Sequence, residues 1–247
     1  ASDRKEIVIT GVNTGDFGRT TGERFIDLLR ALDAVEGIER YRISSIEPNL
    51  LTDEIIDFCA ASPKFQHHFH IPLQSGSDRI LGLMRRRYTQ ARFAERIAAV
   101  RRRMPDAFIG IDVIVGFPGE TEEDFRQTYD FLAALQPAYL HIFPFSERPG
   151  TPAVALPGKV PARIAAQRVE RLEELCRRLH GDFCARACGT TDSVLFESTL
   201  RGGMMFGFTG SYRRVKAPYD PARINTICRV RLGEMDEMHD LKGEIEN

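Results

Sequence analysis

The sequence predicts an α/β protein: a partial (β/α) barrel of about five parallel strands, followed by a small all-β barrel. Three observations point there. Five strand-like segments alternate with helical ones, and a helix between consecutive strands returns each strand in the same direction. Polar residues and glycines gather at the carboxyl end of each segment, where barrel enzymes build their sites. Beyond Gly189 the pattern shifts to short alternating strands separated by Gly, Pro and Asp, as in a closed β-barrel.

The first strand is expected over 6–12 (EIVITGV), followed by NTGDFG and a helix carrying Phe25, Leu28, Leu29 and Leu32 at i, i+3, i+4 and i+7. No G-x-G-x-x-G follows it, which argues against a dinucleotide-binding sheet. The second strand, 41–46, leads into EPNLL and a short helix with Ile55, Ile56 and Cys59. The third, 65–73, ends in QSGS, where Ser77 is placed to cap a helix from Asp78; another helix starts at Thr89.

The fourth unit, FIGIDVIVGFPGETEEDF, is the clearest. Ile109, Ile111, Val113 and Val115 suit a strand buried on both faces, and Gly116, Pro118 and Gly119 end it in a tight turn. Thr121 caps the next helix, with acids in its first turn, and Glu120 is expected to be a free carboxylate at the turn. The fifth strand, 139–145, ends in SERPGT. Five strands cannot close an eight-stranded barrel. The barrel is therefore expected to be open, with a unit missing ahead of Ala1.

The expected domains are 1–158 for the partial barrel, 159–188 for a connecting helix and 189–247 for the small barrel. The helix places Leu172, Cys176, Leu179 and Phe183 on one face, with Arg168, Arg171, Arg177 and Arg178 on a solvated basic face. Small-barrel strands are expected at 192–197, 204–209, 213–216, 226–232 and 241–245.

The net charge of −1 excludes a globally basic nucleic-acid binder, so such a role must sit in a local patch. One patch stands out: Arg201, Arg213, Arg214, Lys216, Arg229 and Arg231, interleaved with Phe206, Phe208 and Tyr212. A basic face with exposed aromatics holds RNA by phosphate charge and base stacking. The competing reading makes the aromatics core and the arginines solubilising; both stand open at this point. No apolar run approaches the roughly 20 residues of a membrane span. Five scattered cysteines argue against a disulfide framework and for a reducing cytoplasm. A start without methionine, almost directly on a strand, reads as a piece of a longer protein.

Among candidate chemistries, His68 and His70 project from one side of a strand, as His-x-His zinc ligands do in barrel hydrolases. A zinc-dependent barrel hydrolase is therefore the alternative of another class, short of further ligands at strand ends. Cys184 and Cys188 match the first two positions of C-x-x-x-C-x-x-C, but the third is Thr191, so an iron–sulfur site fails here. Asp112, inside an apolar strand, is expected to face the barrel interior and organise polar neighbours, in a structural or catalytic role. Arg85, Arg86, Arg87 and Tyr88 are placed to reach a phosphate or carboxylate.

Taken in order, TGVNTGDFG, SSIEPNLL, HIPLQSGSDRILGLMRRRYT, IDVIVGFPGETEEDF and FPFSERPGTPA resemble the radical S-adenosylmethionine methylthiotransferases. The carboxyl-terminal stretch resembles their TRAM domain, which binds RNA. GVNTGDFG, SSIEP and GFTGSYRRVKAP are most similar to the branch that modifies threonylcarbamoyladenosine beside the tRNA anticodon. The branches acting on isopentenyladenosine and on a ribosomal-protein aspartate are the alternatives.

The resemblance implies a radical-SAM barrel of TIM type and addition of a methylthio group to C2 of the modified adenosine in tRNA. It implies S-adenosylmethionine and two [4Fe-4S] clusters in the complete enzyme, with tRNA and a reductant protein as partners. This stretch, lacking cluster ligands, is expected to be inactive alone. By motif position, Gly11, Asn13 and Glu47 would hold the methionine moiety, and Gln74 and Ser75 the ribose. Gly116, Phe143 and Phe145 would surround the adenine, beneath the small RNA-gripping barrel as a cap. No catalytic residue and no metal ligand is assigned.

Overall fold

The computed structural model describes residues 4–246. Strands β1 (Glu6–Ile9), β2 (Arg40–Ile43), β3 (His68–Gln74), β4 (Phe108–Val115) and β5 (Tyr139–Pro144) alternate with helices α1 (Phe25–Asp33), α2 (Asp53–Ala61), α3 (Asp78–Leu83), α4 (Gln90–Arg103) and α5 (Glu122–Leu135). β1 pairs parallel with β2, and β3, β4 and β5 form a parallel sheet. Parallel bridges Tyr41–Phe65 and Ser45–His70 join the two pieces. The result is one open arc in sequence order, with every carboxyl end on the same rim.

β1 and β2 are shorter than expected at the rim. β1 stops at Ile9 and β2 at Ile43, where the chain turns to tie neighbouring loops instead of extending the sheet. Alternation divides each strand between two faces. Tyr41, Ile43, Phe69, Ile71, Ile109, Ile111, Val113 and Leu140 pack against the helices in the main core. Glu6, Arg42, His68, His70, Asp112 and His141 take the opposite, concave face. Asp112 thus organises a polar lumen, with His70 Nε2 hydrogen-bonded at 2.6 Å.

Thr121 caps α5 in a full capping box with Asp124. Ser77 makes no cap bond; its hydroxyl donates to Asp124 at 2.7 Å instead. Helix α6 (Ala162–Ala185) runs back along the outer edge of β5. There Cys176 Sγ accepts from Leu140 N–H at 3.2 Å, and His180 Nδ1 lies 3.1 Å from the Ala138 carbonyl. A helix with side chains on the free ladder groups covers an edge that would otherwise invite another strand.

α6 leads into five strands that close a barrel in the order β10-β8-β7-β6-β9. They are β6 (Thr191–Arg201), β7 (Met204–Thr209), β8 (Arg214–Pro218), β9 (Ile227–Met235) and β10 (Leu241–Ile245). Val194, Phe196, Met205, Val215, Val230 and Leu232 fill it.

The small barrel is no cap over the rim. It docks at the amino ends of the parallel strands, because α6 starts beside the Gly116 turn and runs the length of β5 before releasing the chain. Two buried arginines at the start of β2 hold it there. Arg40 donates to the carbonyls of Phe208 (3.1 Å) and Ser193 (2.8 Å), and Arg42 to those of Thr209 and Gly210 (both 2.8 Å).

Candidate functional site

The rim loops are cross-tied. Thr14 N–H and Oγ1 both donate to the Ser45 carbonyl at 2.9 Å, and Asn13 Oδ1 accepts from Glu47 N–H at 3.2 Å. Asn13, Glu47 and Arg85 to Arg87 line a cleft of 880 Å³. Within it Arg86 Nη1 lies 3.2 Å from Glu47 Oε1, both partly exposed. A carboxylate beside a guanidinium complements the ammonium and carboxylate of an amino-acid zwitterion, so these residues fit the methionine end of S-adenosylmethionine. Gly11 is exposed nearby.

Gln74 and Ser75 follow β3. Gln74 adopts a left-handed backbone (φ 70°) at a register shift against β4. Ser75 is corrected: it is fully buried, its hydroxyl set against Thr128 Oγ1 and accepting from Ser77 N–H, so it faces α5 and no ligand. Tyr88 is likewise buried, donating to the Pro72 carbonyl at 2.9 Å, and burial pushes its phenol up to about 12.

Gly116 turns the chain with φ 78°, and its N–H donates to Glu120 Oε2 at 2.6 Å. Gly116 and Phe145 line a second rim cavity of 490 Å³ with Ala165 and Val169 of α6. Phe143 is half-exposed on the concave face. Glu120 is not free: it is buried and pairs with Arg168, which sequence reasoning had set on a solvated face. The missed signal is spacing, since Arg168 shares a helical stripe with Leu172, Leu175 and Leu179.

Cysteine placement does not fit an iron–sulfur cluster. Cys59, Cys176, Cys184 and Cys228 are buried and Cys188 exposed, none on a rim loop. Burial drives the Cys59 thiol up to about 12 and Cys184 to about 11, away from the thiolate a cluster requires. The zinc alternative also lacks a ligand set. Among the described residues no group of three or more His, Cys, Asp or Glu can hold a metal ion. His68 is packed between the Phe108 and Tyr212 rings, at centroid distances of 5.0 and 4.9 Å.

The basic–aromatic set divides. On β7 and β8, Phe206 lies opposite Lys216 and Phe208 opposite Arg214, all on the outer face, so these phenylalanines are not barrel core. Arg214 stacks over Phe206 at 5.0 Å. Arg229 and Arg231 are exposed on β9, which β6 and β10 separate from that pair of strands. Arg201 is exposed at the β6 tip. Arg213 is corrected: it is buried, stacked 3.9 Å over Phe183 and donating to the Phe183 carbonyl, so it presents nothing to a partner outside.

Among the described residues no helix is long and apolar enough to cross a membrane. A family profile described as the Radical SAM superfamily matches residues 1–132. The threonylcarbamoyladenosine tRNA methylthiotransferase of Bacillus subtilis (strain 168) is 39% identical over 234 residues, covering 92% of this chain and 52% of that protein. The tRNA-2-methylthio-N(6)-dimethylallyladenosine synthase of Clavibacter sepedonicus is 44% identical over 192 residues, covering 77% of this chain and 36% of that protein. The chain thus spans about half the length of these curated relatives, or less. Coproporphyrinogen III oxidase from Escherichia coli, a radical SAM enzyme, has the same fold over 93% of this chain and 54% of its own, with a TM-score of 0.51 at 14% identity.

Proposed function

The chain belongs to the Radical SAM superfamily, whose members use S-adenosylmethionine and a [4Fe-4S] cluster, and we propose that it is the later part of a tRNA methylthiotransferase. The observation that carries this is the 39% identity over 234 residues, covering 92% of this chain. The cofactor supplies a deoxyadenosyl radical when bound to a reduced cluster. This chain's residues bind and orient: Glu47 and Arg86 take the amino-acid end, and the Gly116 turn leaves room for the nucleoside.

The cysteines of this chain do not fit a cluster, so its ligands, and those of a second cluster, lie elsewhere in the complete enzyme, and this chain alone does not turn over. The small barrel acts as a TRAM-like RNA-binding unit, through Phe206, Arg214 and Lys216 on one side and Arg229 and Arg231 on another. The substrate we favour is threonylcarbamoyladenosine in tRNA. The dimethylallyladenosine branch is the second reading, favoured by the 44% identity over 192 residues.

The test is anaerobic cluster reconstitution of the complete enzyme, followed by mass spectrometry of nucleosides from tRNAs of both kinds. A methylthio group on threonylcarbamoyladenosine alone is expected. Its appearance on dimethylallyladenosine alone would move the chain to the other branch, and none on either would overturn the reading.

A further inference from the structure

Three consecutive arginines, Arg85, Arg86 and Arg87, lie in the loop between α3 and α4 and line the 880 Å³ rim cleft. Arg86 is engaged, beside Glu47. Arg85 and Arg87 are exposed, and among the described residues neither makes an ion pair.

The other charges lining the cleft largely cancel. Arg24 pairs with Glu54 at 3.4 Å, Arg86 with Glu47 at 3.2 Å, and Arg19 stands 3.9 Å from Asp16. Among the described residues Glu23 is the lining acid left without a cation, and its carboxylate accepts the Thr21 hydroxyl at 2.8 Å. Arg85 and Arg87 therefore leave the mouth of the cleft with a net positive charge.

The loop that carries them is fixed and strained. α3 ends in a Schellman motif: Arg86 N–H donates to the Leu81 carbonyl at 2.9 Å, and Arg85 N–H to that of Gly82 at 3.0 Å. The left-handed position of that motif is usually glycine; here it is Arg85, with φ 56°. An arginine there gives up stability that glycine would keep, and strain of this kind gathers at functional positions. Tyr88 anchors the loop through the Pro72 carbonyl at 2.9 Å, and the Thr89 side chain caps α4. A loop held in this way orders no backbone when a ligand arrives.

The strand order sets the loop after β1 on the far side of the Glu47 loop. That loop brings Val12, fully exposed, and Phe17, 40% exposed, to the same cleft. The mouth thus offers two unengaged guanidiniums and, across from them, apolar side chains standing in water. Guanidinium forks match phosphate oxygens, and apolar side chains suit sugar and base faces. The cofactor carboxylate does not account for all three arginines, since Arg86 beside Glu47 already complements it.

A grip at this end also answers a problem of distance. The small barrel docks at the amino ends of the parallel strands. β4 has eight residues, so at about 3.3 Å per residue the rim lies roughly 23 Å farther on. RNA held by the small barrel alone would reach the cofactor with its target nucleotide unsupported.

We propose that Arg85 and Arg87 hold the RNA phosphates that flank the nucleotide entering the rim cleft. This rests on the tRNA reading above and adds a second point of attachment on the barrel itself.

The experiment titrates the complete, cluster-loaded enzyme with a fluorescently labelled anticodon stem-loop RNA at several salt concentrations, and separately with S-adenosylhomocysteine. Arg85→Gly and Arg87→Gln are each expected to weaken RNA binding and to make the plot of log Kd against log salt shallower by about 0.7 to 1, the worth of one phosphate contact. Neither is expected to change the affinity for S-adenosylhomocysteine, whereas Arg86→Gln is expected to weaken it. Arg85→Gly is also expected to raise the melting temperature, because glycine suits the left-handed backbone, which separates loss of grip from loss of fold.

RNA binding with the wild-type salt slope in both variants would overturn the rim grip and leave the tRNA reading standing. Weaker S-adenosylhomocysteine binding in Arg85→Gly and Arg87→Gln would assign these arginines to the cofactor and overturn it too. A lower melting temperature in Arg85→Gly, with Arg87→Gln binding RNA as wild type, would assign Arg85 to the fold alone. No RNA binding by the wild-type enzyme at any salt concentration would overturn the tRNA reading together with the grip.

Discussion

Arg168 Nη1 reaches Glu120 Oε2 at 2.7 Å with side chains only 4% and 0% exposed, tying α6 to the turn that follows β4. The same carboxylate oxygen accepts the Gly116 N–H, so one buried ion pair fixes the backbone of a rim loop. The helix that makes this contact at its start delivers the small barrel at its end.

Removing one partner of a buried pair leaves the other charge stranded. Arg168→Ala is expected to cost about 3–5 kcal/mol in urea unfolding. The double change Arg168→Met with Glu120→Gln, which keeps an acceptor for Gly116, is expected to recover most of the loss. Equal stability of Arg168→Ala and wild type would show that the pair does not hold the turn.

Gly116 and Gly119 both have positive φ, but only Gly116 is crowded: an added Cβ would lie 2.9 Å from Ala165 Cβ, against 3.4 Å to the nearest atom at Gly119. Gly116→Ala should therefore lower the melting temperature more than Gly119→Ala. The backbone strain common to both is on the order of 1–3 kcal/mol. The reverse order in a thermal melt would mean that α6 does not press on this turn.

Arg42, with a side chain 1% exposed, donates to two small-barrel carbonyls and to Glu6. Arg42→Ala is expected to loosen docking and speed tryptic cleavage at Arg186, just past the end of α6. Unchanged cleavage would show that the small barrel holds its place without this residue.

His68 stays neutral in the fold because burial lowers its pKa to about 3. The unfolded chain takes up the proton near pH 6.5, so it binds more protons between those values and stability falls as pH drops through that window. The slope from this one group is at most about 1.36 kcal/mol per pH unit. Urea midpoints from pH 7.5 to 4.5 should fall less steeply for His68→Phe. Identical slopes would mean that His68 is protonated in the fold.

The repeating strand–helix plan was legible because period-two and period-3.6 patterns are local, and so was the Thr121 cap. Strand limits at the rim were not: side-chain ties such as Asn13 to Glu47 compete with ladder pairing, and they join residues 34 apart. The polar lumen was half legible. Asp112 announced itself as a carboxylate in an apolar strand, but its partner His70 looked like a metal ligand. Arg168 read as a surface residue, and Arg40 and Arg42 drew no reading at all, because a charged side chain carries no local mark of the partner that buries it. The docking end of the small barrel was invisible for a similar reason. It depends on the direction of α6 along β5, which only the fold specifies.

The most direct measurement is hydrogen exchange on the complete, cluster-loaded enzyme with and without S-adenosylhomocysteine. Slower exchange is expected in peptides spanning 10–13, 44–48, 74–77 and 116–120, with none in 204–218. Protection of 204–218 with the four rim peptides unchanged would contradict a cofactor seat at the carboxyl ends of the strands.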